Sequence, residues 1–172
     1  LPHDSLDGGP TENWELGTRD TGAYATMSDV VDYIEWLGSQ VCDSDNQRTR
    51  FEAAGNAIHD HEQALTDAMI HGTGNLSGLA EMAHVHIIGG VDNPAREGLV
   101  SIYVDGIDSK DVVAHLNSEG VRTHLRKADH YSGNVLDPLG LDSCIRVSMC
   151  HYNSAAEVAM FLGVMKNITS LN

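Results

Sequence analysis

The sequence predicts an α+β fold, in which a small sheet carries helices on one face and a long connecting helix precedes it. Two observations support this prediction. Apolar residues recur at helical spacing in the first part of the chain, and short β-branched segments between turn-forming residues follow. The predicted order is helix, helix, strand, strand, helix, strand, strand, helix, which lacks the strict strand-helix alternation of a doubly wound sheet.

Two helices are predicted in the first part of the chain. From Thr21 to Leu37 apolar residues recur with the helical period, and Gly38 follows as the expected C-terminal stop. The second helix is expected to begin near Asn46 or Gln47 and to end at the Gly-Thr-Gly break that starts at Gly72. The 18 residues before these helices are predicted to form a connector, with residues 19–172 forming the α+β domain.

Four later segments are predicted strands, because they are rich in β-branched and apolar residues and are bounded by turn formers. They are His84–Ile88, Leu99–Val104, Val121–Leu125 and Ile145–Met149.

Two further helices are predicted around these strands. Asp108 is expected to cap the first, which stops at Gly120, and Ser154 is expected to cap the last, whose apolar side runs from Val158 to Ile168.

The charge and composition argue against several classes of function. Acidic residues outnumber basic ones 25 to 10, giving a formal charge of −15, so the chain would repel a phosphate backbone and no nucleic-acid partner is expected. The apolar runs, such as Val85–Gly90, are too short to span a bilayer, so no membrane partner is expected. Cys42, Cys144 and Cys150 are odd in number and lack C-x-x-C spacing, which favours a reducing, cytoplasmic location over a disulfide framework.

Four segments, taken in order, resemble motifs of a known enzyme family. They are residues 14–18 (WELGT), residues 61–65 (HEQAL), residues 98–102 (GLVSI), and residues 145–148 (IRVS) followed by Tyr152-Asn153-Ser154 and Glu157. In this order and spacing the chain is similar to the C-terminal portion of class V aminotransferases and cysteine desulfurase-like enzymes, which are pyridoxal-phosphate enzymes of fold type I. The resemblance implies that the predicted sheet and helices form the small C-terminal domain of that fold.

The resemblance also implies site residues and partners. Gly17 and Thr18 match the pair that contacts the cofactor phosphate of the neighbouring subunit in a homodimer, although Thr18 could instead cap the helix that follows. Arg146 matches the arginine that binds the α-carboxylate of a small amino-acid substrate, for which a planar guanidinium is suited; the alternative is an edge-strand arginine paired with a surface acid.

The chain departs from the family pattern in the predicted active-site loop. This loop contains Arg126, His130 and Tyr131, and Tyr131 stands near the place of the cysteine that accepts sulfur as a persulfide in cysteine desulfurases. A phenol cannot replace a thiolate in that role, so desulfuration of the standard kind is put in doubt. Carbon-sulfur lyase, epimerase and transaminase chemistry remain open, and Cys144 and Cys150 near Arg146 are expected to be buried structural residues.

None of the lysines lies in the motif to which the family attaches its cofactor. Lys110, Lys127 and Lys166 occur at a helix start, in the loop region and in the last helix. We therefore expect no catalytic residue in this chain and a cofactor lysine upstream of Leu1. Two alternatives remain: a non-catalytic dimerisation or scaffold domain, and a metal-binding module built on histidine pairs such as His84 and His86, for which no completing set of ligands is evident.

Overall fold

A computed structural model describes residues 20–169. The chain divides into two compact units, Leu1–Gly55 and Asn56–Asn172. The first unit contains helix α1 (Thr21–Val41) and the start of helix α2 (Gln47–His71); the second contains the rest of α2 and all of the strands. The predicted division at residue 18 stays a prediction.

Helix α1 continues past the residue that was expected to end it. Asp20 caps its start, accepting a hydrogen bond from the backbone N–H of Ala23 at 3.1 Å. The predicted stop at Gly38 is wrong, because the helix ends at Val41. Gly38 serves another purpose: a Cβ there would collide with the backbone carbonyl of Arg50, so glycine permits the start of α2 to pack closely against α1.

The second unit is built on an antiparallel sheet. Strands β1 (Gly72–Thr73) and β2 (Leu76–Ser77) form a separate short hairpin. Strands β3 (Val85–Ile88), β4 (Leu99–Val104), β5 (His124–Lys127) and β6 (Ser143–Ser148) form a four-stranded sheet in the order β3-β4-β6-β5, in which every neighbouring pair is antiparallel.

Three helices accompany this sheet: α3 (Ser109–Ser118), the short α4 (Gly133–Leu136) and α5 (Ala155–Thr169). The predicted cap at Asp108 is confirmed, since its carboxylate accepts a hydrogen bond from the backbone N–H of Lys110 at 2.8 Å. Ser154 precedes α5 as predicted and forms a capping box with Glu157: the Glu157 carboxylate accepts from the backbone N–H of Ser154 at 2.7 Å, and the Ser154 hydroxyl accepts from the backbone N–H of Glu157 at 3.4 Å.

One face of the sheet is the hydrophobic core. Alternate residues of β4 and β6 are buried there against α3, α5 and the second half of α2, and their burial stabilises the unit through the hydrophobic effect. The sheet contributes Val100, Ile102, Val104, Ile145 and Val147, and the helices contribute Leu65, Met69, Val112, Leu116, Val158, Phe161, Leu162 and Met165. The predicted α+β architecture is confirmed, with α2, α3 and α5 packed on one face of the sheet, while the short α4 lies on the other face.

The strand predicted at Val121–Leu125 begins later than expected. Gly120 and Val121 form the C-terminal cap of α3. Gly120 adopts φ 82° and its N–H donates to the carbonyl of Asn117, and the N–H of Val121 donates to the carbonyl of Leu116 at 2.8 Å. These two bonds form a Schellman motif. Val121 therefore belongs to the helix stop, and β5 begins at His124.

In the part of the chain from residue 20 to residue 169, none of the helices combines the length and the apolar character needed to cross a bilayer.

Candidate functional site

Arg146 lies near the middle of the sheet face that the large helices leave open. Its strand β6 pairs with β4, where Ser101 is opposite Arg146, and with β5, where His124 is opposite. Ile145 and Val147 face the core, so the alternation of the strand directs Arg146 to the other side. Because β6 is an interior strand, the alternative of an edge-strand arginine is wrong.

A pocket of about 150 Å³ opens on this face beside Arg146. Strands β3 to β6 form its floor, and the loop after β5 with helix α4 forms its wall. The residues that line it are Ile88, Ser101, Arg126, Tyr131, Ser132, Val135, Leu136, Cys144 and Arg146. Three of the four predicted residues of the substrate site, Arg146, Arg126 and Tyr131, are therefore brought together.

The guanidinium of Arg146 has unused hydrogen-bonding capacity in this pocket. The side chain is half-buried, and its Nε is buried without a hydrogen-bond partner among residues 20–169. Across the same residues Arg146 forms no ion pair with an aspartate or glutamate. An unsatisfied buried donor costs about 1–3 kcal/mol.

Arg126 lies on strand β5, so its predicted place in the loop is wrong, and the loop after β5 contains Tyr131 and the Ser132 that contacts the Arg126 guanidinium. Asp129 organises the turn, accepting hydrogen bonds from the backbone N–H groups of Tyr131 at 2.9 Å and Ser132 at 3.1 Å. These two hydrogen bonds hold the pKa of Asp129 below its usual value, and the bond from Tyr131 has the larger effect. The nearby charges of His130 and Arg126 lower the pKa further. The His130 ring lies 4.0 Å from that of Tyr131, centroid to centroid, but His130 does not line the pocket.

Ser132 and Ser101 are site residues that the sequence did not single out for a role. The Ser132 hydroxyl accepts hydrogen bonds from Nε of Arg126 at 3.2 Å and from Nη2 at 3.0 Å, which fixes the direction of that guanidinium. Ser101 lies opposite Arg146 across the β4–β6 pair. The aspartate three residues before Ser132 is a turn signal that could have placed Ser132 at the start of α4.

Cys144 lies on the same face, two residues before Arg146. Cys144 is 4% exposed, and burial raises the pKa of its thiol above the ordinary value, although Arg126, a hydrogen bond with Ser101 and Arg146 act in the opposite direction. Because the thiolate is the reactive form, this thiol is a poor nucleophile in the described structure. The expectation that Cys144 is buried is confirmed, whereas Cys150 is only half-buried.

The Tyr-Asn-Ser segment after β6 forms the turn into α5. The side-chain oxygen of Asn153 accepts a hydrogen bond from the backbone N–H of Cys150 at 2.9 Å, and its backbone carbonyl lies 2.9 Å from Nε2 of His61 on α2. Tyr152 is 76% exposed. This motif therefore fixes the exit of the Arg146 strand and does not line the pocket.

Gly17 and Thr18, the predicted contacts to the cofactor phosphate, lie outside the described residues, as does the whole WELGT segment. Lys110, Lys127 and Lys166 are all exposed, and none lines the Arg146 pocket.

The histidines do not converge on a common site in the described part of the chain. His59 lies 3.4 Å from Glu97, and Nε2 of His86 lies 2.7 Å from the carboxylate of Asp105. Within residues 20–169 no group of three or more potential metal ligands comes together.

Known proteins are similar to most of this chain. The family model described as "Aminotransferase class-V" matches residues 50–161, which is more than half of the chain. "Probable cysteine desulfurase 1" of Mycobacterium leprae is 28% identical over 95% of this chain and 23% of its own length. A "Probable cysteine desulfurase" of Halobacterium salinarum is 28% identical over 87% of this chain and 30% of its own length.

Solved structures give the same fold. A cysteine desulfurase from Thermococcus onnurineus NA1 is 27% identical with a TM-score of 0.62, over 73% of this chain and 29% of that one. The cysteine desulfurase CsdA of Escherichia coli, 15% identical with a TM-score of 0.53 over 74% of this chain and 32% of that one, supports the fold only. The chain spans about a quarter to a third of the length of these relatives.

The resemblance and the fold predicted from the sequence are both confirmed. The chain belongs to the aminotransferase class-V family and is similar to its cysteine desulfurases.

Proposed function

We propose that this chain supplies the C-terminal part of a pyridoxal-phosphate enzyme that acts on an amino acid, and that Arg146 binds the substrate α-carboxylate. The observation that carries the proposal is the half-buried side chain of Arg146, which lines an open pocket and forms no ion pair with an acid among residues 20–169. Two parallel bonds from a guanidinium would hold a carboxylate in a fixed orientation, which is what chemistry at the neighbouring Cα requires.

The donors of the pocket fit the carboxylate end of a substrate and not the attachment point of the cofactor. The residues that line the pocket include two arginines, two serines and a tyrosine among apolar side chains, and no lysine contributes to it. Pyridoxal phosphate, when bound, would supply an electron sink for charge that develops at Cα. In this proposal Gly17 and Thr18 contact its phosphate from the neighbouring subunit of a cytoplasmic homodimer, and the lysine belongs to a region that this chain does not contain.

The proposed reaction class rests on the family of the chain and on its departure from the cysteine desulfurase pattern at Tyr131. The relatives are named as cysteine desulfurases, so cysteine or a similar amino acid is the first substrate to test. Tyr131 lines the pocket from the loop where those enzymes are expected to carry their sulfur-accepting cysteine, and a phenol does not form a persulfide. We therefore propose a desulfurase-like enzyme in which carbon-sulfur lyase or transaminase chemistry replaces sulfur transfer to this loop.

The test replaces Arg146 with alanine in the protein that joins this chain to the lysine-bearing region. Truncating one partner of a buried charge pair costs about 2–5 kcal/mol, so kcat/KM for an amino-acid substrate should fall about thirty-fold or more. Arg146→Lys keeps the charge without the planar fork and should restore part of the loss. Arg122→Ala is the matched control, since Arg122 is exposed and does not line the pocket.

Cofactor absorbance distinguishes a substrate-binding role from a structural one. The visible spectrum of the bound cofactor should be unchanged in Arg146→Ala, because the proposed cofactor contacts lie elsewhere. Normal turnover in Arg146→Ala together with a lower melting temperature would mean that Arg146 is structural, and the substrate-site assignment would fail.

A further inference from the structure

The loop between β3 and β4 contains a buried arginine, Arg96, whose guanidinium binds backbone carbonyls. Arg96 is 9% exposed, although residues 91–95 before it and Glu97 after it are all exposed. Across residues 20–169 Arg96 forms no ion pair with an aspartate or glutamate. Burial of a guanidinium is costly unless hydrogen bonds replace the water that it loses, so the partners of Arg96 indicate its role.

The guanidinium of Arg96 connects the end of β3 to the start of β4. Its Nη2 donates to the carbonyl of Ile88, the last residue of β3, at 3.2 Å and to that of Gly90 at 2.6 Å. Its Nη1 donates to the carbonyl of Leu99, the first residue of β4, at 3.3 Å. Because a guanidinium is planar and its donors have fixed directions, one side chain holds both strand ends in a single arrangement.

The backbone of Arg96 is fixed in turn by its own loop and by helix α2. Its N–H donates to the carbonyl of Asn93 at 3.0 Å, and its carbonyl accepts a hydrogen bond from the side-chain amide of Gln63 on α2. Helix α2 therefore anchors the residue whose side chain holds the two strands.

The strand ends that Arg96 holds carry two residues of the Arg146 pocket. Ile88 is opposite Ser101 in the β3–β4 pair, and Ser101 is opposite Arg146 in the β4–β6 pair. These three residues form one row across the open face of the sheet, and all three line the pocket. Arg96 lies outside the pocket, but it binds the backbone of Ile88 and of Leu99, two residues before Ser101.

We infer that Arg96 is a positioning residue for substrate binding, which places Ile88 and Ser101 relative to Arg146 by holding the ends of β3 and β4. This inference rests on the proposed role of Arg146 in binding the substrate carboxylate. A misplacement of about 1 Å, caused by a change far from the chemistry, can cost about a hundredfold in activity. Without Arg96 the two strand ends lose their common donor, so the pocket should hold a carboxylate less well.

The experiment measures by calorimetry how strongly the full-length protein prefers L-alanine over L-alaninamide, which lacks the carboxylate. The wild type is compared with Arg96→Met, which keeps the length of the side chain and removes its donors. The preference should fall from about tenfold or more to about threefold or less. A ratio of two affinities does not depend on the fraction of folded protein, so a purely structural Arg96 would lower the melting temperature and leave the preference unchanged.

Two further variants support the interpretation. Arg96→Lys keeps the charge but lacks the planar fork, so it should retain part of the preference, and it decides the question if Arg96→Met does not fold. Arg48→Met is the matched control: the Arg48 side chain is 80% exposed and pairs with Glu52 on its own helix, so this variant should keep the preference of the wild type.

A double variant tests whether Arg96 acts through Arg146. If it does, Arg96→Met should have no further effect on the preference in an Arg146→Ala protein, because the two changes remove the same interaction. A folded Arg96→Met or Arg96→Lys protein with the full preference of the wild type would overturn the inference. Failure of the proposed function looks different, since Arg146→Ala would then keep the preference by itself, and the inference that rests on it would fail with it.

Discussion

Replacing Gly98 with alanine tests how tightly the strand opposite Arg146 is held. Gly98 is buried just before β4, and a Cβ there would lie 2.6 Å from the carbonyl oxygen of Met149 and 2.9 Å from Oε2 of Glu62. The glutamate can swing away. The carbonyl cannot, because the N–H of the same Met149 donates to the carbonyl of Gly98 at 2.6 Å and fixes the two backbones together.

The expected cost follows from this contact. Overpacking against fixed backbone costs about 1–3 kcal/mol. Alanine also lowers the conformational entropy of the unfolded chain relative to glycine, which stabilises the folded state by about 0.4–1 kcal/mol. The net effect of Gly98→Ala is destabilising, and each kcal/mol should lower the melting temperature by about 2–4 °C for a chain of this size.

Thermal unfolding followed by circular dichroism measures the effect, and Gly163→Ala is the matched control. Gly163 lies inside α5, and a Cβ there would meet nothing within 4 Å. The same substitution should therefore stabilise the protein by about 0.5–1 kcal/mol, because glycine is unfavourable in a helix interior. The two variants are expected to shift the melting temperature in opposite directions. A Gly98→Ala protein as stable as the wild type would refute the packing described for the start of β4.

Three further predictions concern the capping box, the buried thiol and the pocket loop. The pKa of Glu157 is lowered mainly by hydrogen bonds from the hydroxyl and the backbone N–H of Ser154, so the stability that Glu157 contributes is present above its unfolded pKa and is lost as pH falls through its folded pKa. Ser154→Ala should raise the folded pKa of Glu157 in an NMR titration, and an unchanged value would contradict the capping box. Because Cys144 is buried and its pKa is raised, iodoacetamide should label the half-buried Cys150 before Cys144, as peptide mass spectrometry would show. Equal labelling rates for these two cysteines would contradict the burial of Cys144. When the full-length protein is given cysteine, mass spectrometry should find no persulfide on the loop that contains Tyr131. A persulfide on Cys144 or Cys150 would instead show that the sulfur acceptor has moved.

Local signals in the sequence were sufficient to predict most of the elements. Asp108 and Ser154 have side chains that accept hydrogen bonds from the first N–H groups of a helix, so both helix starts were predicted where the structure has them. Gly38 and Val121 were misinterpreted for a common reason. The role of Gly38 depends on the backbone of Arg50 twelve residues later, and that of Val121 depends on the carbonyl that it reaches back to in α3. Neither partner is visible in a local pattern.

The pocket could be predicted only in part. The motif placed Arg146 on a strand, and counting along the chain placed Tyr131 in a loop, but their shared pocket depends on the register of β6 against β5 and on the position of α4. Ser101 joins the pocket through pairing between strands more than 40 residues apart. Register over such a distance is set by packing of the whole sheet and not by local sequence. Helix α4, four residues long, is too short to show a periodicity.

Binding of L-alanine and L-alaninamide to the full-length protein tests the central claim most directly, since the two ligands differ only at the carboxylate. If Arg146 binds that carboxylate, calorimetry should show that the wild type prefers L-alanine by about tenfold or more and that Arg146→Ala has no preference. Arg122→Ala should keep the preference of the wild type. An Arg146→Ala protein that still prefers L-alanine by the same factor would contradict the assignment of Arg146 to the substrate carboxylate.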